Sequence, residues 1–142
     1  MSCIYFLSDL HISKSPHHYP LVLDFFERVK TEAESLYILG DFFEFWWGDD
    51  HNYEPYLQWE DFFASYPLPI CFLPGNRDFL CGQSFYHKTK WTPITAGSQL
   101  SFGNHKIALF HGDEPGLQDW SYQIFRKVIR SPLKEILLQL PS

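Results

Sequence analysis

The segment that decides the fold is LYILGD, at positions 36–41. Its first four residues are apolar and Gly40 ends the run, which is too short for a helix, so we predict a buried strand. Asp41 follows at once and places a carboxylate where the strand ends. Two other apolar runs lead to polar clusters in the same way: Cys3–Leu7 to Asp9-Leu10-His11, and Ile70–Leu73 to Gly75-Asn76-Arg77-Asp78.

Helical periodicity occupies the segments between these strands. Leu21–Glu34 follows a proline and repeats apolar residues at Leu21, Phe25 and Val29, which predicts an amphipathic helix. A second helix is predicted near Pro55–Tyr66. Short apolar strands separated by helices predict an α/β fold in which both faces of the sheet are covered.

The later part of the chain contains a hairpin signal and a further helix. Gln99–Phe102 and Lys106–Phe110 flank Gly103-Asn104, which predicts two antiparallel strands. The second of these strands leads to His111-Gly112-Asp113, a fourth polar cluster at a strand end. From Asp119 onward we predict a helix.

The bulk composition excludes several classes of protein. The net charge of −6 does not resemble the basic surface of a nucleic-acid-binding protein. The three cysteines lack a CxxC spacing, so they indicate neither a disulfide framework nor a zinc knuckle. This use of cysteine favours a reducing, cytoplasmic compartment. No apolar run approaches the roughly 20 residues that span a membrane. A length of 142 residues favours one domain over 1–142.

The four polar clusters predict a metal site. In open α/β sheets, ligands bind at the carboxyl ends of the strands, where these clusters can converge. In Asp9-x-His11, alternate residues of an extended strand point to the same side and could hold one ion. Asp41 could bridge to a second ion, held also by Asn76 and His111. Carboxylate, imidazole and amide ligands suit manganese, iron or zinc, and two such ions about 4 Å apart can activate a hydroxide.

Structural roles compete with this interpretation at every cluster. Gly40-Asp41 alone is more often a turn with a helix cap, Asp78 could cap a helix in addition to any other role, and His111 could be a hydrogen-bonded core histidine. Four clusters in order, each after an apolar strand, favour the metal site. For the aromatic stretch Phe42–Trp47 we favour core packing over contact with lipid or substrate. The remaining histidines lack this context and are predicted to be surface residues: His17, His18, His51, His87 and His105.

The clusters quoted above resemble those of the calcineurin-like metallophosphoesterases. Within that superfamily, GDFFEFW at 40–46 followed by Gly48-Asp49-Asp50 is similar to the bacterial UDP-2,3-diacylglucosamine diphosphatases, as are 76–80 and 119–126. The resemblance extends over essentially the whole chain. It implies the N-terminal half of a metallophosphoesterase α/β sandwich, in a single incomplete domain over 1–142, with the metal site at the carboxyl ends of the strands.

The resemblance also implies an activity, which is cleavage of UDP-2,3-diacylglucosamine to UMP and 2,3-diacylglucosamine 1-phosphate in lipid A biosynthesis. A metal-bound hydroxide would attack phosphorus, with no covalent protein intermediate. Two manganese ions are implied, one held by Asp9, His11 and Asp41 and the other by Asp41, Asn76 and His111. The implied substrate contacts are Asn76, Arg77, Asp119 and Tyr122.

One departure from the family pattern limits these expectations. The pattern continues into a helical cap and a Gly-His-x-His motif whose histidines complete both metal sites, whereas this sequence stops at Pro141-Ser142 without it. We therefore expect a truncated chain, and the activity of the 142-residue form is in question. A general metallophosphodiesterase with another substrate and an inactive metal-binding remnant are the alternatives. The expected location is the cytoplasm, with peripheral contact at the inner membrane as a further expectation and no nucleic-acid partner.

Overall fold

A parallel sheet forms the centre of the fold. The computed structural model describes residues 3–13, 16–49 and 54–112. Spatial order in the sheet equals sequence order, and every neighbouring pair is parallel. The strands are β1 (Ile4–Leu7), β2 (Ser35–Leu39), β3 (Ile70–Leu73) and β4 (Thr92–Pro93). Because parallel neighbours need a crossover connection, one helix stands between each consecutive pair of strands.

These crossover helices are α1 (Tyr19–Glu32), α2 (Glu54–Ala64) and α3 (Gln83–Thr89), and a short 3-10 helix at Pro16–His18 precedes α1. After β4, the strands β5 (Gln99–Phe102) and β6 (His105–Ala108) form a separate antiparallel pair. The predicted strands, hairpin and first two helices are confirmed, with ends shifted by a few residues. The α/β fold class is therefore confirmed, whereas a single domain over 1–142 stays a prediction.

Helix α3 and strand β4 were not predicted, and their local sequences explain why. The helix has seven residues and makes no capping bond from its own N-cap residue, Gly82. Its cap comes from the distant Asp49, whose carboxylate accepts hydrogen bonds from the backbone N–H groups of Gly82 at 2.9 Å and Phe85 at 3.1 Å. Strand β4 has only two residues. Neither element carries enough local pattern to be recognised.

Aromatic rings fill the core between the sheet and the helices. Phe26 of α1 and Phe63 of α2 are fully buried and meet edge to face, with ring centroids 5.0 Å apart. Phe42, just after β2, lies edge to face with Trp91 at 5.2 Å. Such pairs contribute about 0.5–1.5 kcal/mol each beyond the area that they bury. This packing holds the loop after β2 firmly against the helices.

The aromatic stretch Phe42–Trp47 packs mainly into this core, as predicted. Phe42 and Phe43 are fully buried and Trp46 is nearly so, whereas Trp47 is 55% exposed. The indole N–H of Trp46 lies within hydrogen-bond distance of Asp49, at 3.2 Å. Among the aromatic side chains of the stretch, Trp47 is therefore the exposed one.

The opposite face of the sheet is less covered. Phe6 of β1 and Tyr37 of β2 stack there with centroids 5.4 Å apart, and Phe6 is 43% exposed. Within the described residues, the expectation that both faces are covered is therefore met on one face only. No helix in those same ranges has the length and apolar character that a membrane span requires.

The histidines expected at the surface are exposed where the structure describes them, at positions 17, 18, 87 and 105. His51 lies outside the described residues. So do Asp113 and the helix predicted from Asp119 onward.

Candidate metal centre

Two adjacent loops gather the first set of candidate ligands. Asp9 and His11 follow β1, and Asp41 follows β2; all three have positive φ angles, at 56°, 48° and 53°. The prediction that strand alternation directs Asp9 and His11 to the same side is wrong, because β1 ends at Leu7. Left-handed turns bring them together instead, with His11 Nε2 3.9 Å from Asp9 Oδ1.

Backbone hydrogen bonds between the loops hold this left-handed conformation, which costs about 1–2 kcal/mol for each non-glycine residue. Asp9 N donates to Gly40 O at 3.1 Å, and His11 N donates to Asp41 O at 3.0 Å. Beyond them, Ile12 N donates to the Phe42 carbonyl at 2.8 Å. Strain of this kind persists only where surrounding contacts over-determine it, and it clusters at functional sites.

Asp41 lies at the centre of the group. It is 4% exposed, with Oδ1 3.6 Å from His111 Nε2 and Oδ2 3.9 Å from His11 Nε2. Burial raises the pKa of Asp41, but the His111 imidazole and the Arg77 backbone N–H outweigh it, so the pKa lies below its ordinary value. Asp41 is therefore ionised at neutral pH. Each of its oxygens faces a different histidine, so the carboxylate lies between the two imidazoles.

His111, which follows the hairpin, is oriented by the end of β2. Its Nδ1 is 2.7 Å from the carbonyl oxygen of Leu39. A carbonyl only accepts, so Nδ1 carries the proton and donates. The other ring nitrogen, Nε2, faces Asn76 and Asp41, and a cation bound there would take its lone pair. His111 is thus more than a hydrogen-bonded core histidine, because its second nitrogen faces the site.

Asn76 points an amide group into the same space. One amide atom lies 2.9 and 3.2 Å from the two carboxylate oxygens of Asp41 and 3.3 Å from His111 Nε2. Without a cation, the nitrogen belongs at this position, because it donates to the carboxylate. An oxygen there would face other acceptors, a contact that a cation shared between them makes favourable. This environment therefore suits a cation ligand.

Two glycines allow the loops to approach this closely. A Cβ at Gly75 would lie 2.3 Å from Asp41 Oδ1 and 2.8 Å from His111 Nε2. At Gly40, whose φ is 87°, a Cβ would lie 2.4 Å from His111 Nδ1. A side chain at either position would therefore collide with a proposed ligand.

Asp78 does not cap a helix, which corrects the sequence-based expectation. Helix α3 begins at Gln83, and Asp78 instead accepts hydrogen bonds from the backbone N–H groups of Gly75 at 2.8 Å, Phe42 at 2.7 Å and Asp41 at 3.3 Å. Its side chain is fully buried, and burial raises its pKa to about 6 against these bonds. Asp78 therefore ties the loop after β3 to the loop after β2.

Arg77 and Glu44 form the rim of the site. Arg77 is 43% exposed, and its Nη1 lies 3.8 Å from Glu44 Oε1. The other carboxylate oxygen of Glu44 lies 3.6 Å from His11 Nδ1. The sequence placed Glu44 just beyond the Asp41 cluster without indicating its contacts, and it predicted the wrong role for Asp78, because the partners of both residues belong to other segments. The predicted substrate contacts Asp119 and Tyr122 lie outside the described residues.

The donor set fits divalent cations. Asp9, Asp41 and His111 each offer a ligand atom, and these atoms lie within 4.8 Å of one another. His11 and Asn76 add an imidazole and an amide at the edges of this group. Oxygen and imidazole donors of this kind suit manganese, iron or zinc better than a soft cation. The structure thus brings the five predicted metal ligands together.

Comparisons with known proteins agree with this arrangement. The profile of the calcineurin-like phosphoesterases matches residues 4–138. The UDP-2,3-diacylglucosamine hydrolase of Haemophilus influenzae is 37% identical over 96% of this chain and 60% of its own length. The relative with the same description from Pasteurella multocida is 34% identical, over 99% of this chain and 61% of its own length. The one from Vibrio vulnificus is 35% identical, over 96% and 58%.

The chain thus spans about three-fifths of the length of these relatives. A solved structure of a protein of unknown function from Aquifex aeolicus aligns with a TM-score of 0.46 and 20% identity, over 96% of this chain and 75% of that one. So slight a likeness carries no argument. The family profile, in contrast, extends over most of the sequence. The protein therefore belongs to the calcineurin-like phosphoesterase family.

Proposed function

We propose that the chain carries the metal-binding part of a hydrolase that cleaves the diphosphate bond of UDP-2,3-diacylglucosamine, releasing UMP and 2,3-diacylglucosamine 1-phosphate. The observation that carries the proposal is the buried Asp41 carboxylate, whose two oxygens face two different histidines at 3.6 and 3.9 Å. The relatives described as UDP-2,3-diacylglucosamine hydrolases support the choice of substrate.

The proposed ligands are divided between two cations, which we take to be Mn2+. Asp9, His11 and Asp41 would hold one cation, and Asp41, Asn76 and His111 the other. Bound divalent cations supply the Lewis-acid chemistry that activates water and stabilises charge on phosphate oxygens. The protein contributes fixed ligand positions, because the loops that carry Asp9, His11 and Asp41 are joined by backbone hydrogen bonds.

Arg77 and Asn76 would position the diphosphate. The guanidinium of Arg77 is half-exposed at the rim, where it can form two parallel hydrogen bonds to a phosphate group. The guanidinium now faces Glu44 in an exposed ion pair at 3.8 Å. Such a pair is weak, so Glu44 competes little with a phosphate group for Arg77. Asp119 and Tyr122 are further proposed substrate contacts.

UMP release tests the proposed reaction. The purified chain is incubated with UDP-2,3-diacylglucosamine and Mn2+, with the Haemophilus influenzae hydrolase as positive control. We expect the chain to release UMP, and we expect this release to be lost when EDTA is added and in the Asp41→Asn variant. Absence of UMP from the chain under conditions where the control is active would refute catalysis by this form.

Two further measurements test the alternatives, which are a general metallophosphodiesterase and an inactive metal-binding remnant. Faster cleavage of a simple aryl phosphodiester than of the diphosphate would favour a general metallophosphodiesterase. Mn2+ binding measured by calorimetry, without turnover of either substrate, would favour an inactive metal-binding form.

The proposed location is the cytoplasm, with peripheral contact at the inner membrane, because the substrate carries acyl chains. Exposed apolar side chains support such contact, with Leu21 72% exposed and Trp47 55% exposed. Co-sedimentation with vesicles of bacterial phospholipid tests it. Binding that persists in the Trp47→Ala and Leu21→Ser variants would contradict a role for these residues.

A further inference from the structure

Glu44 contacts two residues of the proposed site without lying among the ligands. Its Oε2 is 3.6 Å from His11 Nδ1, and its Oε1 is 3.8 Å from Arg77 Nη1. The side chain is 49% exposed, so burial in the core does not explain its position. One carboxylate therefore faces both a proposed metal ligand and a proposed phosphate-binding group.

The contact with His11 parallels the arrangement at His111. Each imidazole turns Nε2 toward Asp41, at 3.9 Å for His11 and 3.6 Å for His111. Each turns Nδ1 outward, to the Leu39 carbonyl for His111 and to the Glu44 carboxylate for His11. When a cation binds at Nε2, an acceptor behind Nδ1 holds the N–H there and fixes the orientation of the ring.

The two outward contacts differ in strength. At 2.7 Å the bond from His111 to Leu39 is a hydrogen bond, whereas 3.6 Å exceeds the ordinary range for one. Glu44 therefore acts on His11 through charge, by attracting the N–H of Nδ1 and repelling a lone pair there. This influence is weaker than a hydrogen bond but has the same direction.

The backbone places Glu44 for this role. Glu44 N donates to Ile12 O at 2.9 Å, and a parallel bridge joins Ile12 to Phe43. His11 and Glu44 thus lie on two segments that backbone hydrogen bonds hold side by side. Since the backbone on both sides of this contact is fixed, only the rotamers of the Glu44 side chain remain to be ordered when its carboxylate faces the imidazole.

We propose that Glu44 is a positioning residue that orients His11 with Nε2 toward the cations and restrains the Arg77 guanidinium at the rim. Its importance for activity rests on the function proposed above. Loss of a hydrogen-bonded group behind a ligating histidine typically weakens metal affinity by about 10–100-fold. Because the Glu44 contact is longer than a hydrogen bond, we expect Glu44→Ala to lie at the lower end, with about a tenfold loss. Glu44→Gln should be intermediate, because its amide oxygen can still accept from Nδ1 although its charge is lost.

The first measurement is the order of the His11 imidazole ring in the metal-free chain, from NMR relaxation of its ring nuclei, assigned with a His11→Gln variant. We expect a restrained ring in the wild type and a more mobile ring in Glu44→Ala. The matched control is Glu27→Gln, which removes an exposed glutamate of α1 that pairs with Lys30. An unchanged order of the His11 ring in Glu44→Ala would overturn the proposal.

The second measurement is Mn2+ affinity by calorimetry, accompanied by the order of the Arg77 Nε–H from 15N relaxation. We expect weaker Mn2+ binding and a more mobile guanidinium in Glu44→Ala, with wild-type values in Glu27→Gln. Urea unfolding of each variant separates these effects from loss of the fold. Wild-type Mn2+ affinity in a folded Glu44→Ala chain would contradict the role of Glu44.

The ring-order measurement distinguishes this proposal from the proposed function, since it needs neither metal nor substrate. A His11 ring whose order depends on Glu44, in a chain that releases no UMP, would support positioning and refute the reaction. UMP release together with a ring order and a Mn2+ affinity that do not depend on Glu44 would do the reverse.

Discussion

Replacement of Asp78 by alanine is expected to destabilise the chain and to separate the two loops that carry the site. The carboxylate accepts two short hydrogen bonds, from Phe42 N at 2.7 Å and Gly75 N at 2.8 Å, and a longer one from Asp41 N at 3.3 Å. Alanine removes the acceptor and leaves these N–H groups buried. The methyl side chain of alanine cannot accept a hydrogen bond from them.

The magnitude follows from the number of orphaned donors. A buried donor without a partner costs about 1–3 kcal/mol, so the two short bonds together represent about 2–6 kcal/mol. Part of this is offset, because the buried carboxylate is itself destabilised, as its pKa of about 6 indicates. We therefore expect a loss of about 3 kcal/mol in the free energy of unfolding, a large fraction of the stability of a typical domain.

Asp78→Asn separates the contribution of each carboxylate oxygen. Oδ1 accepts from Gly75 and Asp41, and Oδ2 accepts from Phe42. An asparagine can keep only one acceptor and places an amide N–H against the other donor. We therefore expect about half the loss that alanine causes.

The assay is urea unfolding at pH 7, followed by circular dichroism and tryptophan fluorescence. The control is Asp61→Ala, which removes a 71% exposed carboxylate paired with Lys88 and should change stability by less than about 1 kcal/mol. If Asp78→Ala unfolds within 1 kcal/mol of the wild type, on the scale of one weak hydrogen bond, the tie between the loops is not what stabilises them.

Three further predictions concern other parts of the chain. Gly75→Ala puts a methyl group 2.3 Å from an Asp41 carboxylate oxygen, so we expect at least a tenfold loss of Mn2+ affinity by calorimetry; wild-type affinity would refute the close approach. Asp49→Ala removes the acceptor at the start of α3 and should lower the free energy of unfolding by about 1–2 kcal/mol, measured in urea; a neutral effect would show that α3 needs no cap. Tyr66 donates to the carbonyl of Phe26 at 2.6 Å, and burial raises its pKa from 10.0 to about 12. Because the pKa of Tyr66 is higher in the folded than in the unfolded chain, the neutral phenol stabilises the fold fully below pH 10. The difference in free energy of unfolding between the wild type and Tyr66→Phe should therefore be constant below pH 10 and disappear as the pH rises toward 12; a difference independent of pH would contradict this.

Much of the fold could be predicted because its signals are local. The strands β1, β2 and β3 are short apolar runs that end at a glycine or a polar residue, and the helices α1 and α2 show apolar periodicity. In contrast, α3 takes its cap from Asp49, 33 residues before Gly82. No pattern within the helix itself carries that information.

The candidate site divides in the same way. The identity of Asp9, His11, Asp41, Asn76 and His111 as candidate ligands followed from their positions after strands. The reason given for Asp9 and His11 was nevertheless wrong, because the side chains meet through left-handed turns and not through strand alternation.

The sequence by itself determined the α/β class, the first three strands of the sheet and the residue types after them. These signals are local, because apolar periodicity and the residues that end a strand or helix involve only a few neighbouring positions. Only the tertiary structure decided what Asp78 and Glu44 do. The donors that Asp78 satisfies in the loop after β2 lie 36 and 37 residues away, and the histidine that Glu44 faces belongs to the loop after β1. Such partners are chosen by the three-dimensional packing of the loops, which no local pattern of residues encodes.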